Sequence, residues 1–150
     1  MKSLFAAALI ALCAAAVPAL AAEVHLGESD QAAVRAAALA YARGWYAGDS
    51  AQMAGVLHDK LAKRAYLKNK ERQRVLSELD KAGLVAGAKP ENAQRYAKAP
   101  KRAEVEILDG FGNVASVRLQ MDEWVDYMHL VRAEDGEWRI INVLWELGAP

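Results

Sequence analysis

The residues of this 150-residue chain that could do chemistry are few. Asp126 alternates with Trp124 and Met128, which places all three on one face of an extended segment. A carboxylate among apolar walls loses hydration, its pKa rises, and it then suits general-base catalysis. The plainer alternative is an Asp satisfied by a backbone or Arg partner, or one left in solvent. His58 precedes the cations Lys63 and Arg64. Together they would make an acid/base group beside an anion-binding pair, or a histidine at a helix end among solvated lysines. Asn142 is polar within an apolar run, so it either orients a ligand or satisfies a buried neighbour such as Asp126. Tyr127 and His129 share the opposite face from Asp126, as a catalytic pair or as the rim of a subunit interface. Trp45, Trp124, Trp138 and Trp145 are core or interface anchors by default. One or two of them could stack on a flat heterocycle. Tyr41, Trp45, Trp124, Trp138 and Asn142 are the expected pocket residues. Three dispersed histidines and one cysteine give no metal-ligand spacing. Phosphate loops and nucleophile elbows are absent from the sequence, so neither a metal nor a cofactor is expected.

The elements that must hold these residues fall into two halves. Ser29 or Asp30 can cap a helix running to about Tyr46, with Val34, Ala38, Tyr41 and Trp45 on one face. Gly48 ends it, and Asp49 with Gln52 forms a capping box for a short helix over 50–57. Residues 58–64 read as a loop or a single turn. Val75, Leu76 and Leu79 suggest a third helix over 69–82, stopped by Gly83. Residues 83–101 carry Gly83, Gly87, Pro90 and Pro100 and read as a long connection with one helical turn near 92–96. A connection of that length is often a functional loop or lid.

The period then changes to two. Strands are expected over 103–108, 114–122, 124–132 and 137–147, joined by turns at 109–113, near 122–123 and at 134–136. In 114–122, Ala115, Val117, Leu119 and Met121 face one way. The strand 137–147 is apolar on both faces, with Trp138, Ile140 and Leu144 on one and Ile141, Val143, Trp145 and Leu147 on the other. One face should pack on helices and the other on a second subunit, which predicts a homodimer through the sheet. A three-residue final turn would put Asp126 and Asn142 on one face. A two-residue turn would pair His129 with Asn142 instead.

The net charge is zero, yet unevenly spread. From Lys60 to Arg102 there are 13 basic against 4 acidic residues; from Glu104 to Glu146 there are 3 against 10. Two solvated faces explain this, as would a basic patch for an anionic ligand, an envelope surface or a protein partner. Nucleic acid is not expected, because no recognition motif occurs. Lys2, the uncharged run Leu4–Val17 and Ala19-Leu20-Ala21 read as a secretory signal peptide over 1–22. The run is shorter than the roughly 20 residues of a membrane span, so the expected location is periplasmic or secreted. The only cysteine, Cys13, would leave with the signal. The remainder, 23–150, suits one domain held by its hydrophobic core.

Four blocks carry a family resemblance: Tyr41-x-x-Gly44-x-Tyr46-x-Gly48-Asp49 with His58-x-x-Leu61-Ala62-Lys63-Arg64; Val105-Glu106-Ile107-Leu108-Asp109 with Gly112-Asn113-Val114-Ala115-Ser116-Val117; Trp124-x-Asp126-Tyr127-x-x-Leu130; and Gly136-x-Trp138-x-Ile140-x-Asn142-Val143-Leu144-Trp145. In this order they resemble the putative lumazine-binding proteins of the nuclear transport factor 2-like superfamily. The resemblance implies an α+β cone: N-terminal helices packed on a curved antiparallel sheet, with a cavity between them. It implies a small hydrophobic or aromatic ligand and names no reaction. The same fold hosts isomerases and dehydratases, so an enzyme using Asp126 or His58 is the alternative. An envelope accessory or protein-interaction module is a third.

Overall fold

The computed structural model describes residues 25–148; the expected signal peptide, 1–22, lies outside the described residues. Helix α1 (Glu28–Ala47) begins at Gly27 rather than at a Ser or Asp cap, with Glu28 and Asp30 placed at its positive end instead. It ends at Gly48, whose φ is 65° and whose missing Cβ would sit 2.0 Å from the Lys89 carbonyl oxygen, so only glycine fits there. Helix α2 (Ser50–Val56) is capped as expected: Gln52 N–H donates to Asp49 Oδ1 at 2.9 Å.

The next region overturns the sequence reading. Residues 57–79 are neither a loop nor a helix but a hairpin, β1 (Leu57–Lys68) and β2 (Arg74–Leu79). Leu61, Lys63 and Ala65 are buried at alternate positions, the period of a strand. The tip is fixed by Asn69, whose side chain accepts from Gln73 N–H, and by Arg72 at φ 64°. Val75, Leu76 and Leu79 have helical spacing by coincidence; pairing with β1 decides their conformation. Helices α3 (Lys81–Gly87) and α4 (Glu91–Arg95) then occupy the expected connection.

Strands β3 (Glu104–Phe111), β4 (Val114–Gln120), β5 (Trp124–Arg132) and β6 (Trp138–Leu147) form the expected meander. The sheet order is β2-β1-β6-β5-β4-β3. Every neighbouring pair is antiparallel except β1 and β6, which run parallel, so the sheet is mixed rather than purely antiparallel. Parallel neighbours need a long crossover, and here everything from β2 to β5 supplies it.

The last hairpin settles the register. Its turn holds three residues, Glu134-Asp135-Gly136, with Ala133 N–H donating to Glu137 C=O and Gly136 at φ 84°. That alone would put Asp126 and Asn142 on one face. A bulge intervenes: Leu130 pairs with Ile140, but His129 pairs with Asn142, leaving Ile141 extra. The bulge inverts every side chain after it. Trp138, Ile140, Val143 and Trp145 therefore share the inner face, and Asn142 and Leu144 turn outward. The two-sided apolarity of 137–147 is in large part this parity switch.

The inner face packs against α1. Val34, Ala38, Tyr41 and Ala42 meet Ala115, Val117, Leu119, Met128, Leu130, Ile140 and Val143, all buried. Each large apolar side chain among them contributes about 1.5–3 kcal/mol by leaving water. Segment 81–96 lies across the C-terminal end of α1. Gly87 sits on the Trp45 ring, and Asn92 donates both amide hydrogens, to Trp45 C=O at 3.1 Å and Gly87 C=O at 3.0 Å.

Candidate functional site

The inner face is apolar except at one place. Lys63 on β1 and Asp126 on β5 flank β6 and both point inward. Two strand spacings separate them, about 10 Å. The lysine stem crosses that gap diagonally over the Trp145 ring, with Nζ 4.9 Å from its centroid. Nζ then donates to Asp126 Oδ1 at 2.5 Å and to Tyr41 Oη at 2.9 Å. The Trp124 indole N–H donates to Asp126 Oδ2 at 3.1 Å. Asp126 is 0% exposed and Lys63 6%.

Aromatic rings wall this centre. Trp124 packs edge-on against Trp45, centroids 5.7 Å apart, and against Trp145 at 6.1 Å. Trp45 follows Tyr41 by one helical turn, so α1 presents both to the same space. The Trp45 Nε1–H is buried and has no acceptor among the described residues. It lies near the Tyr96 hydroxyl without the geometry of a hydrogen bond.

Burial governs the electrostatics. It pushes the Asp126 carboxyl up, with Lys63, Trp124 and Tyr41 pulling back. It pushes the Lys63 ammonium down, opposed by Asp126. Their proton affinities therefore approach each other. Burial also lifts the Tyr41 phenol well above its ordinary value, reinforced by the charge of Asp126. Tyr41 stays protonated and can donate or accept.

Of the residues singled out from the sequence, the structure brings together Tyr41, Trp45, Lys63, Trp124 and Asp126. The others lie elsewhere. His58, the second residue of β1, lines a separate cleft of about 700 Å³ with Asp59, Lys81, Arg132, Asp135 and Arg139. Its Nδ1 accepts from Lys60 N–H. Lys63 and Arg64 are not one anion site, because strand neighbours point to opposite faces. Arg64 lies on the outer face, bonded to Glu78 at 2.5 Å. Asn142 is also on the outer face, 3.3 Å from His129, as the bulge requires. Trp138 is buried at the far end of β6, its Nε1–H donating to Asp30 at 3.1 Å. Trp145 is the residue the sequence did not assign to the pocket. Its signal was a β-bulge, which leaves no mark in the residue pattern. Among the described residues no cluster of three metal-ligating side chains occurs. No helix among them is long and apolar enough to cross a membrane.

This chain is similar to several solved structures. One is an NTF2-like protein of unknown function from Methylobacillus flagellatus KT, 18% identical, TM-score 0.63, covering 84% of this chain and 98% of that one. Another, from Shewanella baltica OS155, also NTF2-like and of unknown function, is 18% identical, TM-score 0.62, covering 81% and 96%. A ketosteroid isomerase-like protein from Erwinia carotovora atroseptica SCRI1043 is 14% identical, TM-score 0.53, covering 83% and 100%. At these identities the likeness is one of fold. Among curated proteins no match is found. A family model described as "Putative lumazine-binding" matches residues 29–146. That match decides the matter: the chain belongs to the putative lumazine-binding family, and its helices packed on a curved mixed sheet share the NTF2-like fold.

Proposed function

We propose that the protein binds a small, flat, hydrophobic or aromatic ligand between Trp45, Trp124 and Trp145, with its polar edge on Lys63 and Asp126. One observation carries the reading: a fully buried Lys–Asp pair inside a wall of tryptophans. A buried ion pair contributes little net stability, since apolar residues of equal volume hold a fold as well or better. Perturbed ionisable groups among aromatic walls are what binding sites use. The family description points to the same ligand class, a fused heterocycle with carbonyl and N–H groups on its edge.

The centre is packed by its own side chains, so binding requires Trp45 and the covering segment 81–96 to shift. Trp45 has a reason to move, since a ligand acceptor would satisfy its orphaned N–H. Direct proton abstraction from a bound substrate by Asp126 is less favoured. Both carboxylate oxygens are engaged, and His58 belongs to a different cleft.

Titration of intrinsic tryptophan fluorescence with lumazine tests the reading. Saturable quenching is expected, lost in Trp124→Ala and weakened at least about ten-fold in Tyr41→Phe, the cost of about one hydrogen bond to a charged group. A wild-type signal that never saturates at millimolar ligand would remove this function. We also propose export and a sheet-mediated homodimer. The supports are the signal-like segment 1–22 and the exposed Tyr66, Tyr127 and Leu144 on the outer face. N-terminal sequencing of the mature protein and light scattering check these two points.

A further inference from the structure

Among the described residues Lys63 is the one lysine whose amine is enclosed with an acid and a phenol, and we infer that it is a carbonyl-capturing nucleophile, forming an imine with a small aromatic aldehyde or ketone held in the cone. The inference rests on the cone admitting a small molecule, as proposed above. It goes further, because binding needs no covalent chemistry.

Three observations carry it. First, Nζ has a proton acceptor in contact, Asp126 Oδ1 at 2.5 Å, and a second polar partner, Tyr41 Oη at 2.9 Å. Second, the amine is desolvated: the side chain is 7% exposed, and the rings of Trp145 and Tyr41 lie 4.9 and 5.5 Å from it. Water, which hydrolyses imines, is scarce there. Third, burial lowers the proton affinity of Lys63 and raises that of Asp126, so moving one proton between them is cheap. A lysine is a nucleophile only after losing its proton, and desolvation is a general means of achieving that.

The step balances. The ammonium passes one proton to Asp126, and the Nζ lone pair forms a bond to the carbonyl carbon while the C=O π pair moves onto oxygen. One remaining N–H proton moves to that alkoxide, giving a neutral carbinolamine. Asp126 returns its proton to the new hydroxyl, which leaves as water as the nitrogen lone pair closes the C=N bond. The product is a protonated imine opposite the Asp126 carboxylate, so the site ends with the charges it began with. Tyr41 can follow the departing oxygen with its own hydrogen bond. The rings suit a flat aromatic carbonyl compound over an aliphatic one.

Reductive trapping tests this on the intact protein. The protein is incubated at pH 7 with benzaldehyde and sodium cyanoborohydride, then digested and mapped by mass spectrometry. Exposed lysines serve as the internal reference. Lys63 should carry the first adduct, at least about ten-fold faster than any exposed lysine, because its amine is desolvated and has a proton acceptor in contact. Lys63→Arg should abolish that adduct and leave the slow surface labelling unchanged. Asp126→Asn, if folded by circular dichroism, should slow capture at Lys63 specifically; if it does not fold, the wild-type map alone decides. Labelling that spares Lys63, or falls evenly on all lysines, overturns the inference. Should lumazine still quench the tryptophans in that case, the binding reading survives and only the covalent step is lost.

Discussion

Lys63 and Arg64 are adjacent in sequence, and each holds a carboxylate at 2.5 Å, yet the two pairs have little else in common. Lys63–Asp126 faces inward, 7% and 0% exposed; Arg64–Glu78 faces outward, 40% and 55% exposed. The outer pair trades water for a partner at nearly equal free energy. The inner pair has given up nearly all its water, and its attraction must offset a desolvation cost of several kcal/mol for each ion. Contact distance is therefore no guide to energetic weight. The face of the strand is, and the alternation of β1 decides that face.

The contrast breaks hardest when one charge is removed. Lys63→Met should destabilise by about 3–5 kcal/mol in urea denaturation, because Asp126 is left buried without its partner. Adding Asp126→Leu should recover most of that loss, since the cost lies in the uncompensated charge. If the double variant is no better than the single, the pair is not the coupled unit described here.

The buried pair and an exposed pair in the final turn should also respond oppositely to acid. Asp126 has a raised proton affinity in the fold, so just above the ordinary carboxylate pKa the folded state binds more protons than the unfolded chain. Its contribution to stability falls as pH rises through that window. Lys63, shifted down, gives stability that rises as pH climbs from its folded value toward 10.5. Asp135 is the reverse of Asp126: its bonds with Arg139 hold it below the usual carboxylate value. Its contribution is present above the unfolded pKa and is lost as pH falls through the folded one. Urea midpoints from about pH 3 to pH 6 should therefore diverge. Wild type minus the Lys63→Met/Asp126→Leu variant declines with pH, and wild type minus Asp135→Asn grows. Equal slopes would mean that burial does not govern Asp126.

What the sequence made legible follows the same division. Local signals worked where the local chain decides structure: the Asp49 cap, the Gly48 stop, the alternation of Ala115, Val117, Leu119 and Met121, and the Gly136 turn. They failed where a distant partner decides. Val75, Leu76 and Leu79 mimic a helix, and only β1 makes them a strand. Asp126 was identifiable because alternation with Trp124 and Met128 places it among apolar neighbours. Its partner was not, because recognising Lys63 as inward-facing requires knowing that 57–68 is a strand. Asn142 was misplaced by one inserted residue, since a bulge changes parity without changing composition.

The smallest expected effect lies on the outer face and gives the comparison its sharpest edge. Glu78→Ala should change stability by about 0–1 kcal/mol, and raising salt should shrink even that, because both side chains keep much of their water. Arg64 loses one acceptor but can return to solvent, whereas Lys63 without Asp126 has nowhere to go. A double-mutant cycle on Arg64 and Glu78, set beside one on Lys63 and Asp126, measures both couplings on neighbouring residues of one strand. A coupling at Arg64–Glu78 as large as the inner one would mean that this edge of the sheet is shielded from water, as the outer face of a subunit interface would be. A near-zero value leaves β2 a free, solvated edge, where positive side chains such as Arg74 discourage strand-to-strand aggregation.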